Sequence, residues 1–273
     1  MKIQVLGPLS AQVNGESIVP TAAKQRQILS LLALYPGRMV PVSTLVEEVW
    51  GTEPPQTAVT TIQTYIVLLR RRLGTAIGPG SPTGAKDVLV TRHGGYMLQV
   101  DEACVDVHQY YLLLREGQAA FESGEGERAA ARLRAALDLW SGAPLVDVKL
   151  GSVLEIEVLR LKQSHLVALE RRIDADLRIG RHSELVVELT ELTARHPLHE
   201  GLHAQSMLAL YRAGRQASAL EVYRRLRTRL IDELGVEPSP SLQRMHHAIL
   251  SVDPQLEVLA GARPTSTFNL FAA

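Results

Sequence analysis

What the chain lacks narrows the field before any motif is read. Its 273 residues hold a single cysteine, Cys104, so no internal disulfide is possible and a reducing compartment fits. That thiol lies between Glu102 and Asp106, a negative setting that is poor for a nucleophile. Aromatic residues make up only 4%, which points to aliphatic packing between helices. No apolar run approaches the roughly 18–20 residues that span a bilayer. The opening MKIQVLGPL is too short and too strand-like for a signal peptide. The expectation is a soluble, cytoplasmic protein with no membrane partner. Net charge is also absent, with 29 Lys+Arg against 29 Asp+Glu. The balance conceals an asymmetry: residues 1–100 hold nine Lys/Arg and five Asp/Glu, and the remainder holds 20 and 24. A basic N-terminal third therefore precedes an acidic remainder.

The length suits two domains of ordinary size, and a 46% hydrophobic content allows real cores. Residues 2–6 (KIQVL) alternate, and AQVNGESIV reads as a strand, an Asn-Gly turn and a return strand. A helix follows Pro20 and ends at Pro36-Gly37, with Ile28, Leu29 and Leu32 in its apolar stripe. Ser43 is expected to cap a second, short helix closed by Trp50 and Gly51.

The stretch from Thr57 to Val100 is the most informative. Ala58, Ile62, Ile66, Leu69 and Leu73 recur at three- and four-residue spacing and define the buried face of a helix. At about 100° per residue, the opposite face carries Thr60, Gln63, Thr64, Val67 and Arg71, with Leu68 on its shoulder. Small polar side chains followed by Arg70-Arg71-Arg72 suit a major groove, because amides and hydroxyls reach base edges and guanidinium groups neutralise phosphates. Beyond a Gly/Pro-rich loop, VLVTRHGGYMLQV reads as a β-hairpin turning at Gly94-Gly95, with Arg92 and His93 at its tip. Helix, short loop and basic-tipped hairpin make up the second half of a winged helix.

From Asp106 onward every periodic segment reads as helix. LRIGRHSEL and YRAGRQASAL place Gly180 and Gly214 34 residues apart, the tetratricopeptide period. Ala219 and Tyr223 fall where that repeat wants a small residue and an aromatic, and Ala129 and Ala136 are small in the same way after Gly124. The fold class expected is mainly α: an N-terminal winged helix-turn-helix of α+β type, then an all-α, tetratricopeptide-like domain. The division is 1–103 for DNA binding, 104–253 for the helices, and 254–273 as a tail expected to be mobile.

His199-Glu200-Gly201-Leu202-His203 matches the H-E-x-x-H pattern of zinc hydrolases. It opens a repeat helix just after Pro197, and Gly201 weakens the helix that would hold the ligands. No third-ligand pattern follows, so neither a catalytic nor a metal site is assigned. A helical-repeat scaffold is the other competing reading. No clustered arginine pocket or glycine loop in the sequence speaks for a small-molecule or phosphopeptide sensor.

The blocks MKIQVLGPL, TAAKQRQILSLLAL, TIQTYIVLLRRRL, RHGGYML, MLALYRAGRQASALEVY and DELGVEPSPSLQRMHHAIL together resemble the Streptomyces antibiotic regulatory protein (SARP) family. The resemblance covers about residues 1–250 and the small, stand-alone type of member; no Walker-type glycine-lysine loop is present. It implies an OmpR-type winged helix followed by a bacterial transcriptional activation domain. The implied activity is activation of a biosynthetic gene cluster, by binding direct repeats near the −35 region and contacting RNA polymerase holoenzyme. No enzyme chemistry and no cofactor are implied. The DNA-contacting set is then Lys24, Thr60, Thr61, Gln63, Thr64, Val67, Arg70, Arg71, Arg92 and His93. Gln63 and Thr64 are expected to read bases, Lys24, Arg70 and Arg71 to hold phosphates, and the Arg92/His93 wing tip to enter the adjacent minor groove. Val67 and Leu68 stand where relatives commonly carry polar or aromatic side chains; an aliphatic group there suits a thymine methyl.

Overall fold

The computed structural model describes residues 1–257. Three short strands come first, β1 (Lys2–Gln4), β2 (Ser10–Val13) and β3 (Glu16–Ser17), in an antiparallel sheet of that order. Asn14 and Gly15 join β2 to β3 with φ of 51° and 84°, the two left-handed residues of the tight hairpin turn expected from an Asn-Gly pair. Helices α1 (Ala23–Leu34), α2 (Val42–Trp50) and α3 (Ala58–Ile77) follow. Strand β4 (Met39–Pro41) lies between α1 and α2, and a one-turn helix α4 (Ala85–Val88) interrupts the Gly/Pro-rich loop. Strands β5 (Leu89–Arg92) and β6 (Gly95–Leu98) complete a second sheet of order β4-β6-β5. Ser43 is not the cap expected of it: α2 begins at Val42 on an extended Pro41 with no side-chain cap. Gly51 does close that helix, its amide bonded to the Glu47 carbonyl at 2.7 Å.

Every longer element after residue 105 is helical among the described residues: α5 (Asp106–Glu122), α6 (Gly126–Leu137), α7 (Ser152–Arg178), α8 (His182–Arg195), α9 (Glu200–Arg212), α10 (Gln216–Leu234) and α11 (Pro240–Ser251). Gly180 and Gly214 turn consecutive helices with φ of 84° and 73°, values an L side chain resists. Ala129, Ala136 and Ala219 are fully buried and Tyr223 nearly so, as the small and aromatic repeat positions require. The end differs from the sequence-based tail: Pro254–Leu256 form a 3-10 turn, Leu256 is fully buried, and Arg212 Nε donates to its carbonyl at 2.8 Å. The rest of that tail, 258–273, lies outside the described residues.

Two compact units emerge from the contacts, and each draws on both sides of residue 103. The first joins residues 1–112 to 136–165, and the second joins 113–135 to the residues from 166 on. Long-range carboxylate clamps explain the first. Asp106, 6% exposed, accepts the Val5 and Leu6 amides at 2.9–3.0 Å. Glu48, 1% exposed, accepts the amides of Gly151 and Leu154 at 2.7 and 2.9 Å, and so caps α7 from a residue about a hundred positions earlier. Asp147 takes the Leu9 amide and the Arg26 guanidinium, and Tyr35 donates its hydroxyl to Glu157 at 2.7 Å. Burial pushes the Asp106 and Glu48 carboxyls up despite the amides that favour their charged forms.

In the second unit, Ala120, Phe121, Ala129, Ala130, Leu133 and Ala175 form one apolar cluster. Beside it the Asp176 carboxylate, 1% exposed, is shared by Arg134, Arg172 and Arg181 at 3.0–3.4 Å. A buried charge needs this many partners to offset its lost hydration.

Candidate nucleic-acid interface

Helix α3 divides as its periodicity requires. Ala58, Ile62, Ile66, Leu69, Leu73 and Ala76 are buried. Thr60, Gln63, Thr64, Val67, Leu68, Arg71 and Arg72 are exposed. Val67 is 61% and Leu68 37% exposed, an apolar step in the middle of a polar face. Thr64 and Thr61 donate back to the Thr60 and Thr57 carbonyls at 3.1 and 2.9 Å. Each hydroxyl keeps lone pairs to accept with, but Thr61 is half-buried and sits at the edge of the face. Among the described residues, Gln63, Arg71 and Arg72 make no side-chain hydrogen bond or ion pair within the chain.

The face is held at both ends. Asn14, from the β2–β3 turn, donates its amide to the Ala76 carbonyl at 3.2 Å. This satisfies a carbonyl that the helix terminus leaves unpaired. Arg70 is half-buried, and its Nε and Nη2 both donate to the Leu89 carbonyl, at 2.8 and 2.6 Å, while Nη2 also reaches Thr91 Oγ1 at 2.8 Å. Its fork thus ties α3 to strand β5 of the wing, so Arg70 differs from the freely projecting phosphate ligand read from the triple-arginine run. Arg72 takes its place among the open cations; the run itself was the signal for it.

The wing turns one residue earlier than expected. Arg92 pairs with Gly95, so His93 and Gly94 are the turn and Gly95 belongs to the ladder. A β-carbon on Gly95 would come 2.3 Å from the Val40 carbonyl oxygen, so glycine there lets β4 approach β6. Thr91, Arg92 and His93 are exposed at the tip. Lys24, at the start of α1, is half-buried with Nζ 4.6 Å from the Trp50 ring centroid, a cation–π contact that fixes its stem.

The H-E-x-x-H residues are dispersed into other tasks. His199 caps α9, its Nδ1 accepting the Leu202 amide at 3.4 Å, and lies 3.5 Å from Glu170. Glu200 accepts the Ser239 amide at 2.9 Å. His203 is 7% exposed, and burial lowers its pKa to about 4. Glu170, raised to about 7 chiefly by burial and then by Asp174, completes this corner.

A three-helix core with an exposed, base-sized polar face on its third helix and a basic-tipped hairpin defines a winged-helix transcription regulator. Residues 15–98 match the family described as transcriptional regulatory protein, C terminal, and residues 105–250 match the bacterial transcriptional activator domain. The chain is 52% identical over 257 residues to the regulatory protein DnrI of Streptomyces peucetius, covering 94% of each. It is 40% identical over 272 residues to the regulatory protein AfsR of Streptomyces coelicolor, covering 99% of this chain and 26% of that one. The solved structure of Mycobacterium tuberculosis EmbR, in complex with a low affinity phosphopeptide, matches with a TM-score of 0.88 at 31% identity. That match covers 99% of this chain and 69% of the other. The protein belongs to the SARP family of transcription activators, with an OmpR-type winged helix followed by a bacterial transcriptional activator domain. No helix among the described residues is long and apolar enough to cross a membrane.

Proposed function

We propose that the protein activates transcription of a secondary-metabolite biosynthetic cluster by binding direct repeats near the −35 region of its promoters. One observation carries this: the outward face of α3 offers Gln63, Arg71 and Arg72 without partners inside the chain. In the major groove Gln63 and Thr64 read base edges, Thr60 and Thr61 flank them, and Val67 meets a thymine methyl. Arg71, Arg72 and Lys24 hold phosphates, while Arg70 sets the distance between reading helix and wing. Arg92, with His93, enters the neighbouring minor groove, whose negative potential favours a guanidinium.

A single reading helix has too small a footprint for high specificity, so two copies pair head to tail on the repeats. The helical remainder carries the acidic excess of the chain, which disfavours a second DNA contact. It contacts RNA polymerase holoenzyme and the neighbouring copy. The protein works without a cofactor, in the cytoplasm at the nucleoid.

The test uses the full chain, because the amides of Val5 and Leu6 depend on Asp106, beyond residue 103. Gel shift and sedimentation on a two-repeat duplex should show two chains bound, with a scrambled duplex far weaker. Purified holoenzyme should then gain transcripts from the cognate promoter. Equal binding to scrambled DNA would sink base reading by α3, and a strict one-to-one complex at saturation would sink the pairing.

A further inference from the structure

Helices α8 and α10 flank α9 and leave a groove of about 690 Å³ between them, a volume within the range of small-molecule sites. Its α10 wall runs from Arg215 to Arg229, roughly 20 Å at 1.5 Å per residue. The turn at Gly214 makes α9 and α10 antiparallel, so the groove has two unlike ends. Leu210 and Arg215 lie at one; Pro197, His203 and Arg229 lie at the other.

The second end holds an anomaly. His203 is 93% buried by its 7% exposure, it lines the groove, and neither ring nitrogen has a hydrogen-bond partner in the protein. The Pro197 carbonyl beside it offsets part of the burial without hydrogen-bond geometry. With its pKa lowered to about 4 by burial, the ring is neutral at physiological pH and offers one donor and one acceptor. An unpartnered buried imidazole destabilises the fold that carries it, and a leucine of similar volume would not.

The charges around it are positive on balance. Arg225 is engaged by Glu221 at 3.0 Å, and Glu221 is thereby occupied. Arg229 meets only Glu233, at 3.7 Å, with both side chains half exposed. Val222, Leu226 and Leu210 supply an apolar floor leading away from this end.

We propose that the groove is a ligand site for a small organic anion, its oxyanion head between His203 and Arg229 and its apolar body along Val222 and Leu210. The chemistry is shared by carboxylates, sulfonates and phosphate monoesters. This goes beyond the reading of α3 and stands apart from it.

The test is a fluorescence titration of the full chain with 1-anilinonaphthalene-8-sulfonate, against N-phenyl-1-naphthylamine, the same body without the anion. Wild type should bind one sulfonate saturably and the neutral analogue about tenfold more weakly or worse. His203→Leu and Arg229→Gln should each weaken the sulfonate about tenfold, while Arg215→Gln at the far end leaves it unchanged. His203→Leu should also melt at a higher temperature than wild type, so lost binding is not lost folding, and promoter-DNA retention should be unaffected in all three. Equal binding of the neutral analogue, or undiminished binding by His203→Leu, overturns the proposal. Displacement by hexaglutamate at lower concentration than by benzoate or octanoate overturns it in favour of an acidic-peptide groove. Displacement by inorganic phosphate as readily as by octanoate reduces it to a cation patch.

Discussion

Helices α3 and α9 are both built of good helix formers mixed with Thr, Gln, Ser or His, yet they hold their polar side chains in opposite ways. In α9 every residue from Leu202 to Leu210 is buried. Its Gln205 is therefore committed to the interior, donating to the Glu170 carbonyl and to Asp174 Oδ1 at 2.8 Å each. In α3 only one stripe is buried, and Gln63 faces outward with no partner in the chain. A buried amide must be paired or the fold loses stability; an exposed one is hydrated and free to exchange water for a base. The same residue type is structural in one helix and available for recognition in the other. His203 breaks the rule for α9, which is why it points to a ligand.

The largest test of this contrast is to charge the two helices. Ala209→Glu on α9, or Ala219→Glu on α10, places a carboxylate at a fully buried position and should cost roughly 3–5 kcal/mol or more in urea unfolding. Gln63→Glu, on the open face of α3, should stay within about 0.5 kcal/mol of wild type. Similar losses for both would erase the distinction.

A pH series separates the next effect. His203 titrates near 4 when folded and near 6.5 when unfolded. Below pH 6.5 the unfolded chain takes a proton that the folded one refuses, so its contribution is lost as pH falls from 6.5 to 4. Glu170 works the other way: raised to about 7, it binds its proton first in the folded state and adds stability as pH falls from 7 toward 4.5. The stability of His203→Leu relative to wild type should therefore grow by on the order of 3 kcal/mol between pH 7 and pH 4. A flat difference would mean the imidazole is not held neutral.

On DNA, Gln63→Ala should lose about 1–3 kcal/mol of binding on the cognate repeat and little on scrambled sequence. An equal loss on both would assign the amide to the backbone. The smallest effects divide two adjacent arginines. Arg71→Ala should weaken all DNA and flatten the salt dependence by about one ion. Arg70→Ala should leave that slope nearly intact and instead lower stability by about 1 kcal/mol, since the Leu89 carbonyl loses its donors. If Arg70 carries the salt slope, its guanidinium leaves the wing when DNA arrives.

The sequence reading succeeded where geometry is local and slipped where it is not. The buried stripe of α3 and the Gly180/Gly214 turns were legible because 3.6-residue periodicity and glycine turns are short-range properties. The wing was found but its turn was displaced by one residue, because the register is decided by β4, whose backbone closes on Gly95. Ser43 looked like a cap, yet Pro41 and the β4 ladder already set where α2 begins. Arg70 was indistinguishable from Arg71 in a run of three; only the nearby Leu89 carbonyl separates them.

Pattern and spacing alone were enough to specify the helices, the hairpins and the face that meets DNA, since each depends on residues a few positions apart. The extent of the folding units was not. Val5 finds Asp106, and Glu48 finds Leu154, across 101 and 106 residues. Such pairings leave no periodic trace, because each is one carboxylate meeting amides that only the packed chain brings within 3 Å. The same holds for the groove beside His203: its arginines, hydroxyls and imidazole lie on three helices, and they form one site only because those helices pack side by side.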